Sequence, residues 1–433
     1  MKIPTRITVP VSLAMLCAGG VLVFVWWQLS EATRVRVQPA TPSAGTGQVI
    51  IPATLSPADA RDQALLHLRQ GDLLALRGEW AAAEKAYQAA VDAQGGLPAL
   101  RKLVLAQLQR RDMTGVRASV RALKAAGARP EDTDLIENIV LLRTGEIVQA
   151  RARLAQATEA PHTHYGLALL SIIEGNHEHA RAELQQTIDG WEPVLRANAK
   201  VLLGAYEEFV LFPESSNLHL VTLIARALAQ VQECELALPL LNQVTREKDD
   251  YRDAWIVQGY CELTTERNEQ ALASLEHAYN LNPEKPEIQY FLARAYAALG
   301  KHDEAITFLQ YALENGFTPK SEVHRLLARE ALTKGDAVLA LAQFDALTEA
   351  EDASLESFEG YVTTALALDQ KDQALAKAAA ATVKFPEDAH AWDLLGLAAA
   401  EAGKTDEART ALNKALELDP YRTSAKERLE KLK

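Results

Sequence analysis

Residues 389–420 read AHAWDLLGLAAAEAGKTDEARTALNKALELDP, which is two apolar stretches joined at a glycine and closed by a proline. Within this segment Gly403 is followed five residues later by Ala408. The same glycine–alanine pair recurs at one phase of a period of about 34 residues, a length typical of stacked helical hairpins. The other pairs are Gly78/Ala83, Gly145/Ala150, Gly175/Ala180, Gly300/Ala305 and Gly335/Ala340.

Each repeat predicts two closely packed helices. The apolar residues of each half recur at helical spacing, so they share one face of each helix. The glycine ends the first helix in a left-handed conformation, and the proline stops the second helix. Because no hairpin buries its apolar face alone, these residues are expected to be structural. In the last repeat they are Trp392, Leu395, Gly396, Ala399, Ala408, Leu412, Ala415 and Pro420.

In period and residue types, residues 64–420 resemble the tetratricopeptide repeat (TPR) family. The resemblance is strong in the last five repeats and weak in those that begin near 97 and 131. It implies an all-α chain with a TPR-type α-solenoid, a superhelix of helical hairpins that presents surface to other molecules. The repeats begin near residues 64, 97, 131, 161, 218, 252, 286, 321, 355 and 389.

The repeat phase is interrupted once, and this interruption sets the predicted domains. Residues 193–217 predict an irregular inserted helix between an N-terminal array of about four repeats (58–192) and a C-terminal array of six (218–420). Residues 421–433 predict a charged capping helix. Pro239 falls inside a predicted helix, where it removes a hydrogen bond and is expected to kink the helix.

The N-terminus predicts a membrane anchor. Residues 7–29 read ITVPVSLAMLCAGGVLVFVWWQL, without a charge, and as a helix they would cover about 34 Å, enough to cross a bilayer. A cleaved signal peptide is the alternative, but two tryptophans stand where its cleavage site would lie. We therefore expect a short tail and transmembrane anchor over 1–29, an inner-membrane location with a cytoplasmic N-terminus, and a periplasmic array.

A Pro/Thr/Ala-rich stretch over residues 30–57 reads as a flexible linker, because it cannot bury enough apolar area to order itself. Val49, Ile50 and Ile51 interrupt it, and they are available to dock on the array or on a partner.

Composition and motifs argue against several classes of function. A formal net charge of −13 and a pI near 5.4 disfavour sequence-independent nucleic-acid binding. No phosphate-binding, nucleophile-elbow or zinc-protease motif occurs, so we expect no enzyme activity, cofactor or small-molecule substrate. Cys234 and Cys261 are interpreted as buried thiols, with a disulfide between them geometrically conceivable. Four histidines (His162, His164, His177 and His179) fall at opposite ends of one predicted helix, about 20 Å apart, so no shared metal site is expected.

The remaining candidate is the concave groove. In TPR proteins the groove is lined by four positions of each first helix, and the resemblance carries these positions onto Arg and Tyr side chains here. Arg and Tyr dominate interface energetics, so we expect an extended peptide or helix of mixed charge as the partner, although an ordinary solvated face is the alternative. The predicted groove residues are Arg226, Tyr260, Tyr290, Arg294, Arg325 and Arg329, with Glu356, Glu359 and Asp393 further along.

These features together suggest a membrane-anchored TPR scaffold or adaptor, similar to bacterial inner-membrane TPR proteins that act in envelope assembly, secretion or maturation. The alternative is a constitutive structural subunit of a larger membrane complex, with Gly19 and Gly20 packed on other transmembrane helices. Replacing residues 7–29 with an unrelated anchor separates the two: retained activity favours the scaffold, and lost assembly favours the subunit.

Overall fold

A computed structural model describes residues 57–212 and 214–432, and within these ranges all regular secondary structure is helical. The predicted all-α class is confirmed for these residues. The helices are α1 (Pro57–Leu76), α2 (Trp80–Asp92), α3 (Gly96–Gln109), α4 (Met113–Ala125), α5 (Pro130–Arg143), α6 (Ile147–Leu154), α7 (Pro161–Ile173), α8 (His177–Asp189), α9 (Pro193–Val210), α10 (Asn217–Gln230), α11 (Cys234–Glu247), α12 (Arg252–Thr264), α13 (Asn268–Leu281), α14 (Pro286–Ala298), α15 (His302–Glu314), α16 (Lys320–Lys334), α17 (Ala337–Glu349), α18 (Leu355–Ala367), α19 (Lys371–Lys384), α20 (Ala389–Glu401), α21 (Thr405–Leu418) and α22 (Thr423–Lys431).

The helices follow the predicted repeat order, in pairs from α1–α2 onward. The unpaired α9 occupies most of residues 193–217, where the sequence predicts one extra helix. Pro239 lies inside α11, as predicted. The chain divides into two compact units between Thr265 and Glu266 rather than at 193–217, because α9 packs against both α8 and α10. The domain bounds drawn from the sequence remain predictions.

The turn inside each hairpin has the same backbone conformation whichever residue occupies it. All six glycines of the glycine–alanine pairs have φ between +72° and +86°, which confirms the predicted left-handed cap. Four non-glycine residues at the equivalent repeat position also have positive φ, between +58° and +67°. Hairpin closure therefore imposes this conformation even where a side chain makes it unfavourable. The four residues are Arg111, Gln232, Glu266 and Asp369.

Small residues hold the two helices of a hairpin together. A Cβ added to Gly71 would lie 2.4 Å from the Tyr87 ring, and one added to Gly396 would lie 2.5 Å from the Leu412 side chain. The six alanines of the glycine–alanine pairs are fully buried. The predicted close approach of first and second helices is therefore present, and larger side chains at these glycines would force the helices apart.

Two cysteines of the first compact unit lie among the described residues. Cys234 and Cys261 are buried, free thiols whose side chains hydrogen-bond to each other. Burial raises the pKa of the Cys261 thiol well above its ordinary value.

The predicted anchor (7–29) and most of the predicted linker (30–57) lie outside the described residues. Among the helices that the structure describes, none combines the length and the apolar content that crossing a bilayer requires.

Candidate partner-binding surface

In the second compact unit (described residues 266–432), α16 presents a continuous exposed face. The side chains of Arg325 and Arg329 are 57% and 66% exposed, and Leu332 is 46% exposed. Together with Glu322 they follow the spacing i, i+3, i+7 and i+10, so they share one face of the helix. Two arginines beside an exposed leucine provide both charge and an apolar contact.

Among the described residues, the ion pairs of Arg325 and Arg329 are formed with neighbours on their own helix. Arg325 donates to Glu322 at 2.7 Å, and Arg329 donates to the buried Glu330 at 3.2 Å. A solvent-exposed pair such as Arg325–Glu322 contributes little to stability, typically up to about 1 kcal/mol. The Glu330 carboxylate is buried and also contacts His302, whereas the Arg329 side chain itself is 66% exposed. Both guanidinium groups are therefore within reach of a partner's carboxylates.

On α14, the first helix of the preceding hairpin, the predicted groove residues Tyr290 and Arg294 are less exposed than the arginines of α16. Tyr290 is buried, stacks on Phe317 with ring centroids 4.3 Å apart, and donates through its hydroxyl to Glu322 at 3.4 Å. The tyrosine thus packs between α14 and α16 instead of lining the surface. Arg294 is half-buried, with its guanidinium 5.8 Å from the Tyr290 ring and 5.9 Å from the Phe291 ring.

The following first helix, α18, carries the opposite charge. Glu356 is exposed, and Glu359 is half-buried with its carboxylate 3.4 Å from His390 on α20. The hydrogen bond from His390 lowers the pKa of Glu359, against the effect of burial, so this carboxylate is ionised at neutral pH. A basic α16 face is therefore followed by an acidic α18 face in the next hairpin.

Asp393 on α20, which the sequence assigns to the acidic end of the groove, is almost completely buried. Its carboxylate accepts hydrogen bonds from Arg422 at 2.8 Å, Ser424 at 2.5 Å and Arg428. This cluster fixes α22 on the last hairpin, so Asp393 is a residue of the cap and is not available to a partner.

The two predicted groove residues in the first compact unit (described residues 57–212 and 214–265) are also engaged. Arg226 on α10 forms an ion pair with Glu208 on the inserted helix α9, and Tyr260 on α12 is buried. The first helices here are enclosed: nine of the thirteen residues of α7 and nine of the fourteen residues of α10 are buried.

This unit is enclosed because its early hairpins contact its late ones. Arg143, at the end of α5, donates to both carboxylate oxygens of Glu233, at 2.7 and 3.0 Å. Arg111 forms an ion pair with Glu235 and donates to the Thr264 carbonyl at 3.1 Å. Both arginines also donate to the Gln232 carbonyl at 3.2 Å. We call these contacts, formed by Arg111, Arg143, Gln232, Glu233, Glu235 and Thr264, the arginine clamp.

The histidines are closer together than one helix length implies. His164 and His179 both contact the Glu183 carboxylate, at 2.7 and 3.2 Å, because α8 returns antiparallel to α7. The predicted separation of about 20 Å is therefore wrong for His164 and His179. Within the described residues, no three His, Cys, Asp or Glu side chains are arranged to hold a metal ion.

Leu332 is the residue of this surface that the sequence interpretation omitted. It occupies the last of the four groove positions in its repeat, the same positions that gave Arg325 and Arg329. The prediction considered only arginine and tyrosine side chains. An apolar residue at a solvent-facing repeat position also indicates a candidate binding surface.

Comparison with known proteins supports repeats in the C-terminal part of the chain. One tetratricopeptide repeat model matches residues 263–330, and a second matches residues 222–279 and 362–423. No curated protein sequence matches the chain significantly.

Solved structures of repeat proteins are similar over part of the chain. YrrB, described as a TPR protein with an unusual peptide-binding site, is 20% identical, with 43% of this chain and 96% of YrrB covered and a TM-score of 0.38. PilW, described as a type IV pilus biogenesis factor, is 16% identical, with 49% and 99% covered and a TM-score of 0.37. A thermophilic TPR protein of Thermus thermophilus, TTC0263, is 20% identical, with 48% and 100% covered and a TM-score of 0.31. Scores this low carry no functional comparison.

The two family-model matches indicate a general kind of function. Tetratricopeptide repeats are generally interaction modules for proteins rather than enzymes. The matches over residues 222–330 and 362–423 support this family, and with it a protein–protein interaction module, for this chain.

Proposed function

We propose that this chain is a membrane-anchored TPR scaffold that holds a protein partner on the first helices of its second compact unit. The observation that supports this proposal is the exposed face of α16, where Arg325, Arg329 and Leu332 lie together at helical spacing. Arginine is enriched among residues that dominate binding energy, and a neighbouring apolar side chain excludes water from such contacts.

The charges on consecutive first helices indicate the chemistry of the partner. The α16 face is basic, whereas the next first helix presents Glu356 and the ionised Glu359. α16 and α18 are the first helices of consecutive hairpins, so one extended peptide or one helix lying across both hairpins would meet both charged faces. Such a partner would place acidic and apolar side chains against α16 and basic side chains against α18.

The membrane part of the proposal depends on residues 7–29. Their uncharged length supports an anchor, and the linker after it gives the repeats reach from the bilayer. In this arrangement the repeats lie on the periplasmic side of an inner membrane and serve envelope assembly, secretion or maturation.

Charge reversal of α16 tests the proposed surface. In the full-length chain, Arg325→Glu with Arg329→Glu is expected to reduce partner recovery from gently solubilised membranes by about tenfold or more, because truncating a hot-spot arginine costs about 2 kcal/mol or more of binding free energy. Recovery is measured by quantitative mass spectrometry against the unchanged chain.

The matched control reverses two exposed lysines of the same compact unit at the starts of second helices, Lys371→Glu with Lys404→Glu. The control is expected to retain the partner. Equal recovery with both double variants would place binding elsewhere and contradict the proposed surface.

A further inference from the structure

The first helix of the chain's repeats exposes an apolar face. Leu65, Leu66, Leu73 and Leu76 on α1 are between 49% and 64% exposed. At 100° per residue they fall within an arc of about 100°, with the exposed Arg69 near its centre. We call these five residues the leucine face.

The leucine face is separate from the packing of α1 in its own hairpin. Ala64, Leu68 and Ala75 on the other side of α1 are buried, and Gly71 lies directly against Tyr87 of α2. The exposed leucines are therefore not part of the hairpin core. In a repeat array such a face is normally covered by the preceding repeat.

The last helix of the chain contrasts with the first. α22 has the sequence TSAKERLEK, and it packs on the last hairpin with a charged outer surface. Terminal elements of repeat arrays need a polar outer face for solubility. Within the described residues, α22 presents a charged outer surface whereas α1 presents the leucine face, which indicates that another segment or molecule covers α1.

The small area of the leucine face favours a tethered segment of the same chain, rather than a second copy of the protein, as the group that covers it. The stretch from Leu65 to Leu76 is about 17 Å long, and a helix is about 10 Å wide. A stable interface between two proteins needs about 800 Å² from each partner, more than this face supplies. A tethered segment has a millimolar effective concentration, so a small contact is enough.

The sequence just before α1 contains a suitable segment. Val49, Ile50 and Ile51 are three β-branched apolar residues in an otherwise polar and proline-rich stretch, and they lie outside the described residues. Six residue steps from Ile51 to Pro57 span up to about 20 Å, whereas Leu66 lies about 14 Å along the helix from Pro57. Leu73 and Leu76 lie about 24 and 28 Å along the helix from Pro57, beyond this span. We propose that residues 49–51 pack on the N-terminal part of the leucine face, against Leu65, Leu66 and Arg69, and cap the first hairpin.

Arg69 allows this cap to be tested without removing a leucine. Arg69→Cys is introduced into the full-length chain with Cys17→Ser, and the rate of alkylation by a polyethylene-glycol maleimide is measured; the buried Cys234 and Cys261 are shielded. Val49→Ser, Ile50→Ser and Ile51→Ser together are expected to increase the alkylation rate at least about fivefold. Arg121→Cys on the exposed surface of α4 is the matched control, and its rate is expected not to change.

Each other outcome overturns the proposal. Equal Arg69→Cys rates with and without the three serines would show that residues 49–51 do not cover the leucine face. If Arg69→Cys became easier to alkylate when the protein was diluted from 10 to about 0.1 µM, the leucine face would be covered by a second copy of the chain. Protection seen only with added phospholipid vesicles would assign it to a lipid surface. Helix content, measured by circular dichroism, checks that each variant is folded.

Discussion

Arg143→Met is expected to destabilise the first compact unit by about 3–5 kcal/mol, because it leaves the Glu233 carboxylate buried without its cation. The two side chains are 9% and 4% exposed, and the bidentate pair joins residues that are 90 apart in the sequence. Burial alone would lower the pKa of Arg143, but Glu233 and Glu235 raise it overall, so the guanidinium stays charged.

The measurement is hydrogen exchange of the α11 amides, which reports this unit without assuming a single unfolding step for the whole chain. Arg143→Met with Glu233→Leu is expected to recover stability to within about 1 kcal/mol, since a buried pair replaced by apolar residues is often neutral. Arg151→Met, which removes an exposed pair with Glu174, is the control and is expected to cost less than about 1 kcal/mol. If Arg143→Met destabilised α11 no more than Arg151→Met does, the stabilising role assigned to the arginine clamp would be contradicted.

Asp393→Asn is expected to loosen the C-terminal cap by about 2 kcal/mol. The buried carboxylate accepts hydrogen bonds from Arg422, Ser424 and Arg428, and bonds to charged groups contribute about 1.5–3 kcal/mol each. An asparagine at this position keeps the shape and some hydrogen-bonding capacity but loses the charge. Hydrogen exchange of α22 measures the loss directly.

The pH dependence of this effect follows from the pKa of Asp393. Burial raises it, but the bonds from Ser424, Arg422 and Arg428 outweigh burial and lower it below its ordinary value of 3.8. The contribution to stability is therefore complete well above pH 3.8 and is lost as the pH falls through the lower folded-state value. The wild type and Asp393→Asn should differ most at neutral pH, and the difference should shrink only below pH 3.8, as the pH falls through the lower folded-state pKa of Asp393.

Asp369→Asn provides the control for this pH experiment. The carboxylate of Asp369 is 86% exposed and its ion pair within the described residues is with the exposed Lys371, so its loss should change stability little. A difference for Asp393→Asn that persisted unchanged at low pH would contradict the assigned role of its charge.

The helical hairpins could be predicted from the sequence because their period, their small residues and their turn glycines are local signals. Gly335 and its equivalents have the predicted positive φ. The same conformation at Asp369 could not be predicted from residue type, since it is imposed by closure of the hairpin.

The surface was predicted less well, because repeat positions alone do not report exposure. The sequence placed Tyr260 and Tyr290 in the groove, but both are buried by neighbouring helices. The Arg143–Glu233 pair joins distant hairpins, and nothing local in the sequence marks it. Arg325 and Arg329 were predicted as surface residues and are exposed, whereas their role in binding remains a prediction.

Site-specific cross-linking from α16 tests the central claim most directly, that this chain works by holding a protein on its first helices. A photoreactive benzophenone side chain replaces Leu332 in the full-length chain, and the control places the same group at Val383 on a second helix. Both native residues are apolar, and Val383 is the more exposed of the two, at 82% against 46%, so accessibility alone would favour adducts from the control position. The account predicts one dominant, stoichiometric adduct from position 332 in native membranes and none from position 383. Equal adducts from both positions, or none from position 332, would contradict it.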